Sequence, residues 1–540
     1  MLEKLVVECI DYAHDGRGVA KVKGIPIFIE NLLIGEKAEI EVYKKDKSFH
    51  LGRVIKRLND SKQRVKPICP NYEACGGCHL QHMTYLEQLK FKRERVYQVL
   101  KRIGGLELKV NPVLGMETPY KYRNKVQVPF SMDYKGRVIG GFFQQGTHQI
   151  IDMNECFIEN EEADKIVVTF KKLLEKLDIE PYLMQGDRGS VRYLLVRRGY
   201  VSKEIMVVIV SRTFTIPRVN TLIKELLKAH PNITTIVQNI NANPKTSVIL
   251  GEKEKVLYGK GTIEDTLCGL NFTISSKSFY QVNPSQTEVL YNTAIEFAKL
   301  GKDDVVLDAY CGIGTIGLIA SKHVKKVIGV ETVAPAIVNA KSNAKKNNIS
   351  NAEFYCDDAS KYMINSAKKK QYFDVAFVDP PRNGCDQKFI NALMQTSPKK
   401  IVYISCEPSS LARDLKILSQ KYEVVAVQPV DMFPQTYHVE TVVLLSRGKA
   451  DDHIRFSINT EDLKKNVGGY ATYGDIKAYV LEKFGLKVSS LYIAQTKDKC
   501  GIKERENYYI GEGKSKELIC PPEKEQAIMD AFRHFGMLKD

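Results

Sequence analysis

Between residues 303 and 447, six short apolar runs, DVVLDAY, KVIGVE, AEFYC, FDVAFVD, KKIVYIS and VETVVLLS, are separated by segments long enough for helices. This alternation constrains the chain most, because near-continuous apolar strands need helices over both faces of a parallel sheet. A doubly wound α/β domain is expected there. In such sheets ligands bind outside the carboxyl ends of the strands, so the residues that end each run are the first candidates for chemistry.

The first run continues into CGIGTIGL, where Gly312, Gly314 and Gly317 let the backbone approach a ligand and a helix start aims its amides at it. Dinucleotides and S-adenosylmethionine are both held this way, and the loop does not choose between them. Glu331 ends the next run, where an acid can accept hydrogen bonds from ribose hydroxyls. Asp357 and Asp358 follow AEFYC and could receive an adenine amino group or cap a helix. In FDVAFVDPPRNG, two prolines after a strand-ending acid make a stiff extended turn. Asp379 and Arg382 are thereby held where a nucleobase could be met. IVYISCEP ends in a thiol, Cys406, whereas a structural cysteine would lie inside the apolar run.

At 540 residues the chain exceeds one hydrophobic core and is expected to form several domains. Residues 1–58 alternate short β-like runs with glycine-marked turns, predicting a small OB-like barrel of five strands. Residues 59–270 read as a mixed α+β domain. Its segment Thr84 to Arg102 has helical spacing, with Leu86, Leu89, Val96, Val99 and Leu100 on the apolar face and basic residues opposite. The α/β domain occupies 271–449. Residues 450–540 form a small helical extension with no visible catalytic constellation, in which Ile476, Tyr479, Val480 and Phe484 share one helical face.

The net charge of +16 lies in the first 450 residues, since residues 451–540 hold fifteen acidic and fifteen basic side chains. Residues 44–66 hold nine basic and two acidic ones. A polyanionic partner, most simply nucleic acid, fits this, as does a solvated lysine-rich surface. Lys56, Arg57 and Arg64 are the candidate phosphate contacts. No run approaches the roughly 18–20 apolar residues of a membrane span, and the start shows no signal peptide, so a cytoplasmic protein without a membrane partner is expected. There, the twelve cysteines are ligands, nucleophiles or core residues rather than disulfides. Cys69, Cys75 and Cys78 cluster in ICPNYEACGGCHLQH.

CGIGTIGL, the DPPR at 379–382, the SCEP at 405–408 and the HVET at 438–441 resemble, in the same order, the uracil-5 RNA methyltransferases. The CPNYEACGGCHLQH segment resembles the iron–sulfur segment of the 23S ribosomal RNA branch of that family, and residues 1–58 resemble its TRAM domain. The resemblance covers roughly residues 1–447. It implies S-adenosylmethionine-dependent methylation of a loop or single-stranded uracil in 23S ribosomal RNA by a monomer, with Cys406 as nucleophile and Glu440 as general base. Gln281, Tyr310, Glu331 and Asp379 match the cofactor contacts, beside the adenine position proposed for Asp358. Cys156 matches the fourth ligand of a 4Fe-4S cluster completed by Cys69, Cys75 and Cys78. Zinc modules usually pair their ligands in two short couples, whereas Cys156 stands alone. Glu407 departs from the commoner asparagine of the motif and is expected to disfavour the thiolate beside it. Three alternatives stay open. The same chemistry could serve a transfer RNA uracil, exocyclic amine methylation would have no use for Cys406 or Glu440, and a non-catalytic ribosome assembly factor would lack them.

Overall fold

The computed structural model describes residues 3–447, apart from 185, 244, 245 and 247, together with 473–500, 520–534 and 538. The N-terminal strands are β1 (Glu3–Glu8), β2 (Asp11–Tyr12), β3 (Gly18–Val22), β4 (Ile25–Ile29), β5 (Lys37–Lys45) and β6 (His50–Arg57). They form one sheet in the order β1-β5-β6-β4-β3-β2, six strands where five were expected. The run KLVVECIDY supplies two of them because it changes partner: Cys9 N–H donates to Glu36 O at 2.9 Å and Ile10 N–H to Val19 O at 2.8 Å. Ile27, Ile29, Leu32 and Ile40 fill the interior. Arg64 is not a free phosphate contact. Its guanidinium pairs with buried Glu36 at 2.6 Å and bonds Asn31, so it ties the following segment to this sheet.

Helix α1 (Tyr85–Val99) starts at Thr84, whose hydroxyl accepts the Glu87 N–H at 3.4 Å. Its burial follows the expected apolar face at Val96 and Leu100 and departs from it at Leu86 and at several polar residues. Leu86 is 62% exposed, while Gln88, Phe91, Lys92, Arg95 and Val96 are buried. Val96 and Phe91 enter apolar cores, while the buried polar residues meet the polar backbone of residues 431–437. Lys92 Nζ lies 2.5 Å from Asp431 Oδ1 with both side chains fully buried, and it also donates to Phe433 O at 3.1 Å. Tyr85 donates to the other Asp431 oxygen at 2.9 Å.

The middle of the chain builds a second sheet from β7 (Lys125–Met132), β8 (Val138–Phe143), β9 (Ile150–Asp152), β10 (Val191–Arg198), β11 (Ile205–Ser211), β12 (Ile233–Ile240) and β13 (Lys253–Tyr258). Helices α2 (Glu161–Lys176) and α3 (Val219–Ala229) supply residues of its apolar core, among them Phe170 and Leu222. A hairpin of β14 (Thr262–Leu267) and β15 (Leu270–Ser275) then leads into α4 (Pro284–Ala298).

The third sheet contains β16 (Val305–Ala309), β17 (Lys326–Glu331), β18 (Ala352–Cys356), β19 (Val375–Val378), β20 (Lys400–Ser405), β21 (Glu423–Val430) and β22 (Glu440–Ser446), ordered β18-β17-β16-β19-β20-β22-β21. The first five in that order are parallel, as expected, and are joined through α5 (Thr315–Ser321), α6 (Ala334–Lys346), α7 (Ala359–Lys368) and α8 (Gln387–Thr396). A seventh strand, β21, was not anticipated. After α9 (Pro408–Leu418) it forms an antiparallel pair with β22, which in turn pairs antiparallel with β20.

The chain divides into two compact units, Met1–Phe456 and Ser457–Asp540. In the second, helices Tyr473–Phe484, Ser490–Lys499 and Pro522–His534 enclose a core of Ile476, Val480, Ile493, Ile528 and Phe532. Ile476 and Val480 face inward as expected, but Phe484 is 42% exposed. Among the described residues no helix is long and apolar enough to cross a membrane.

Breaking one side of a buried ion pair strands the other charge. Lys92→Met is therefore expected to cost about 3–5 kcal/mol, whereas adding Asp431→Asn should recover most of that loss. Urea midpoints of the two variants measure the difference, and equal midpoints would show that the pair carries no such weight.

Candidate active site

The register of the third sheet aligns its strand ends. Ala309 pairs with Val330 and Val378, Val378 with Tyr403, and Glu331 with Cys356. The residues that follow face one crevice at β16 and β19, where the strand order reverses. Ser405 pairs with Thr441 across the antiparallel β20–β22 ladder, so the next step outward sets Cys406 opposite Glu440. Thus the register joins two residues that lie 34 positions apart.

On the glycine-rich side, Tyr310 leaves β16 at φ 64° and Gly312 follows at φ 56°. A Cβ on Gly312 would meet nothing within 4 Å, so the loop presents open backbone; one on Gly314 would come 2.9 Å from Phe354. Glu331 braces the loop by accepting Gly312 N–H at 3.2 Å and Val333 N–H at 2.9 Å. Tyr310 packs at a tilt on Phe389, with ring centres 5.4 Å apart. Gln281 bonds the hydroxyl of buried Tyr291, which also lies near Asp379 and Asp308. Asp358 caps α7, accepting Lys361 N–H at 3.0 Å, and its exposed carboxylate keeps a second oxygen for another donor.

Several acids crowd this edge. Burial pushes Asp379 up to about 7. Burial, and after it Asp379, pushes Glu440 up to about 8, while Arg382 draws it down. Burial raises Cys406 to about 12, reinforced by Glu440 and Asp379 and opposed by Arg382. Among the described residues Arg382 makes no ion pair, so its exposed charge is available to this cluster and to a ligand. Glu407 is not among the groups that raise the thiol, contrary to expectation. Its side chain caps α9, accepting from Ser409 N–H at 3.3 Å and Ser409 Oγ at 2.6 Å, and lies 3.4 Å from Arg95.

The sequence reading missed three contributors. Asp308 is the one acid inside the apolar run of β16, one residue before its end, which was a usable signal; its Oδ2 accepts Gly317 N–H at 2.8 Å and holds α5 in place. Tyr291 and Arg95 carried no local signal, because each acts across the chain.

A second feature lies in the same unit. Cys69, Cys75, Cys78 and Cys156 line one cavity of about 250 Å³, with Arg123 and Lys125 on its wall. The isolated bridge between Cys75 and Gln144 and the 3.0 Å bond from Gln145 N–H to Ala74 O bring the cysteine segment to β8, close to Cys156 in sequence and space. Burial pushes the Cys78 thiol up to about 12 and Cys156 up as well. Among the described residues no group of three or more His, Cys, Asp or Glu side chains is placed to hold a metal ion. The four thiols bound a volume instead.

A family described as tRNA (Uracil-5-)-methyltransferase matches residues 84–448. An uncharacterized RNA methyltransferase of Bacillus cereus is 47% identical over 439 residues, covering 81% of this chain and 95% of the relative. A relative of the same description from Staphylococcus aureus is 44% identical over 438 residues, covering 81% and 96%. Among solved structures, the Pyrococcus abyssi tRNA (uracil-54, C5)-methyltransferase in complex with S-adenosyl-L-homocysteine superposes with a TM-score of 0.65 at 28% identity, covering 82% of this chain and 99% of that one.

The charge arrangement sets the reactivity of Cys406. Glu440→Gln removes a neighbouring negative charge and should lower the apparent pKa of the thiol, whereas Arg382→Ala should raise it. The pH dependence of iodoacetamide alkylation at Cys406 reads both shifts, and movement in the same direction in both variants would refute this electrostatic account.

Proposed function

The chain belongs to the tRNA (uracil-5-)-methyltransferase family and methylates RNA uracil at C5 with S-adenosylmethionine; on that premise we propose that its substrate is a loop or single-stranded uracil of 23S ribosomal RNA. The observation that carries the catalytic part of this reading is the register that sets Cys406 opposite Glu440.

Uracil C5 is a poor nucleophile, so the ring is first activated from the other end of its double bond. Cys406 passes its proton to solvent and adds to C6 as the thiolate, and the electron pair of the double bond moves to C5 as an enolate. S-adenosylmethionine, when bound, supplies an electrophilic methyl on a sulfonium. The open backbone at Gly312, the carboxylate of Glu331 and the acids Asp379 and Asp308 suit a ligand that carries ribose hydroxyls and positive charge. Docking a cation among these acids favours their ionised forms, which readies Glu440 as a base. Once C5 carries the methyl group, Glu440 takes the C5 proton, the electrons restore the double bond, and the C6–S bond breaks to return the thiolate. Arg382 stands where it can stabilise the enolate oxygen or a neighbouring phosphate. The target base has to leave its stack to reach this edge, which favours unpaired RNA.

The four-cysteine cavity is read as the seat of a 4Fe-4S cluster. Four half-buried thiols around a volume suit a multi-iron core better than a tetrahedral ion at a point, and of the charged residues on the wall two, Arg123 and Lys125, are basic and one, Glu159, is acidic. Residues 69, 75, 78 and 156 would hold it, and methyl transfer asks no electron of it. The six-stranded sheet at 3–57 is read as the TRAM-like RNA-binding domain, which its exposed Lys44, Lys47 and Lys56 beside exposed Tyr43 and Ile55 support. Ribosomal RNA is favoured because the cysteine segment resembles that branch. Transfer RNA is the second reading, favoured by the activity named for the Pyrococcus abyssi structure.

Labelled S-adenosylmethionine offered to 23S ribosomal RNA and to transfer RNA, each lacking 5-methyluridine, should label only the former; label in transfer RNA alone would reverse the substrate choice. With the accepting RNA, Glu440→Gln should accumulate a protein–RNA band on denaturing gels that requires the cofactor, and Cys406→Ala should abolish both band and product. Normal turnover by Glu440→Gln would remove it as the base. For the cavity, anaerobically purified protein should contain iron and sulfide and absorb in the visible blue, and Cys75→Ala should bleach it. Stoichiometric zinc without iron would overturn the cluster.

A further inference from the structure

The loop from Asp431 to Glu440 carries the proposed base, and one residue in it holds an unfavourable backbone conformation. Gln435 sits at φ 70° although it is not glycine. It is also 1% exposed, so its side chain and both peptide groups need partners inside the protein. Those partners come largely from one place. The Gln435 carbonyl accepts His79 N–H at 2.8 Å and Leu80 N–H at 3.0 Å. Its own N–H donates to Gln88 Oε1 at 3.1 Å, while Gln88 Nε2 donates back to Gln435 Oε1 at 3.0 Å and to Leu80 O at 3.0 Å. His79 directly follows Cys78, so the wall of the four-cysteine cavity and the clamp on Gln435 are one stretch of backbone.

Beyond Gln435 the loop is tightly wound. Thr436 Oγ1 donates to Phe433 O at 2.8 Å and accepts His438 N–H at 3.3 Å. The Tyr437 ring lies between His79 and His438, with centroids at 4.5 and 4.4 Å, and the Arg95 guanidinium stands 5.5 Å from its centre. Two residues later β22 begins with Glu440. A change of φ at Gln435 would therefore displace Thr436–Val439, the segment that leads into Glu440 at the start of β22, while leaving Cys406, just past the end of β20, where it is.

We infer that Gln435 is a positioning residue for the methyl transfer reaction, held left-handed by the segment after Cys78 so that Glu440 meets the C5 proton. The inference rests on the assignment of Glu440 as base. It separates addition from proton removal: displacing the loop should spare attack by Cys406 and slow release of the methylated ring. Gln435→Val places a β-branched residue where φ is positive, which that side chain resists, whereas Gln435→Asn keeps an amide and tolerates the left-handed region.

Full-length Gln435→Val is expected to lose about 100-fold in kcat, the scale set by a small misplacement of a catalytic group, with KM for S-adenosylmethionine within about twofold of wild type. It should accumulate the cofactor-dependent protein–RNA adduct, and Gln435→Asn should recover most of the rate and clear the adduct. A merely structural Gln435 would instead lower melting temperature and cofactor binding together without trapping RNA, in both variants alike. That outcome, or normal turnover by Gln435→Val, overturns the inference. Glu440→Gln run alongside distinguishes the two readings: if it traps no adduct, the base assignment has failed, and the kcat loss and its recovery in Gln435→Asn alone decide whether Gln435 positions the loop.

Discussion

The buried contact between Lys92 and Asp431 is the constraint on which the arrangement of the site depends. Removing both charges from water is costly, and it is tolerated because each is surrounded by further partners: Tyr85 on the carboxylate and the Phe433 carbonyl on the ammonium. Gln286, from α4, donates to the Asp431 carbonyl at 3.0 Å, and Asp431 N–H donates to Leu114 O at 2.9 Å. Three separate parts of the chain, α1, α4 and the segment at Leu114, therefore converge on one residue between β21 and β22. A loop so held leaves little freedom in where β22 begins, and β22 begins with Glu440.

At the sheet edge the opposite condition prevails. Buried Asp308 and Glu440 lie near half-buried Asp379, with Arg382 as the nearby exposed cation, and all three carboxyls sit far above the ordinary range. Burial is the first cause of each shift, and the neighbouring acids add to it for Asp308 and Glu440. Burial likewise raises the Cys406 thiol, reinforced by Glu440 and Asp379.

Much of this was legible in the chain. Apolar runs alternating with helix-length segments announced the parallel sheet, and the residues ending those runs, Glu331, Asp379 and Cys406, do line its edge. The site pair was legible only as two motifs. That Cys406 faces Glu440 follows from β22 inserting antiparallel between β20 and β21, and no local pattern carries that register. α1 misled for a related reason: periodicity assigns polar residues to solvent, yet Lys92, Arg95 and Gln88 are buried because the loop they meet is itself polar. Glu407 and Arg64 misled likewise, since their charges are taken up by partners that the sequence leaves far away or on another element.

What the sequence by itself determined is therefore the set of local chemistries: which residues end strands, which glycines open the loop, and which cysteines stand close enough in the chain to share a cavity wall. These depend on backbone preferences and hydrophobic period, which act over a few residues. Tertiary structure alone decided the long-range juxtapositions: Cys406 with Glu440, Lys92 with Asp431, Cys156 with the three cysteines before it, and His79 with Gln435. Each joins groups far apart along the chain, and each arises from burial and strand pairing, whose partners are chosen by the whole fold and written in no single segment.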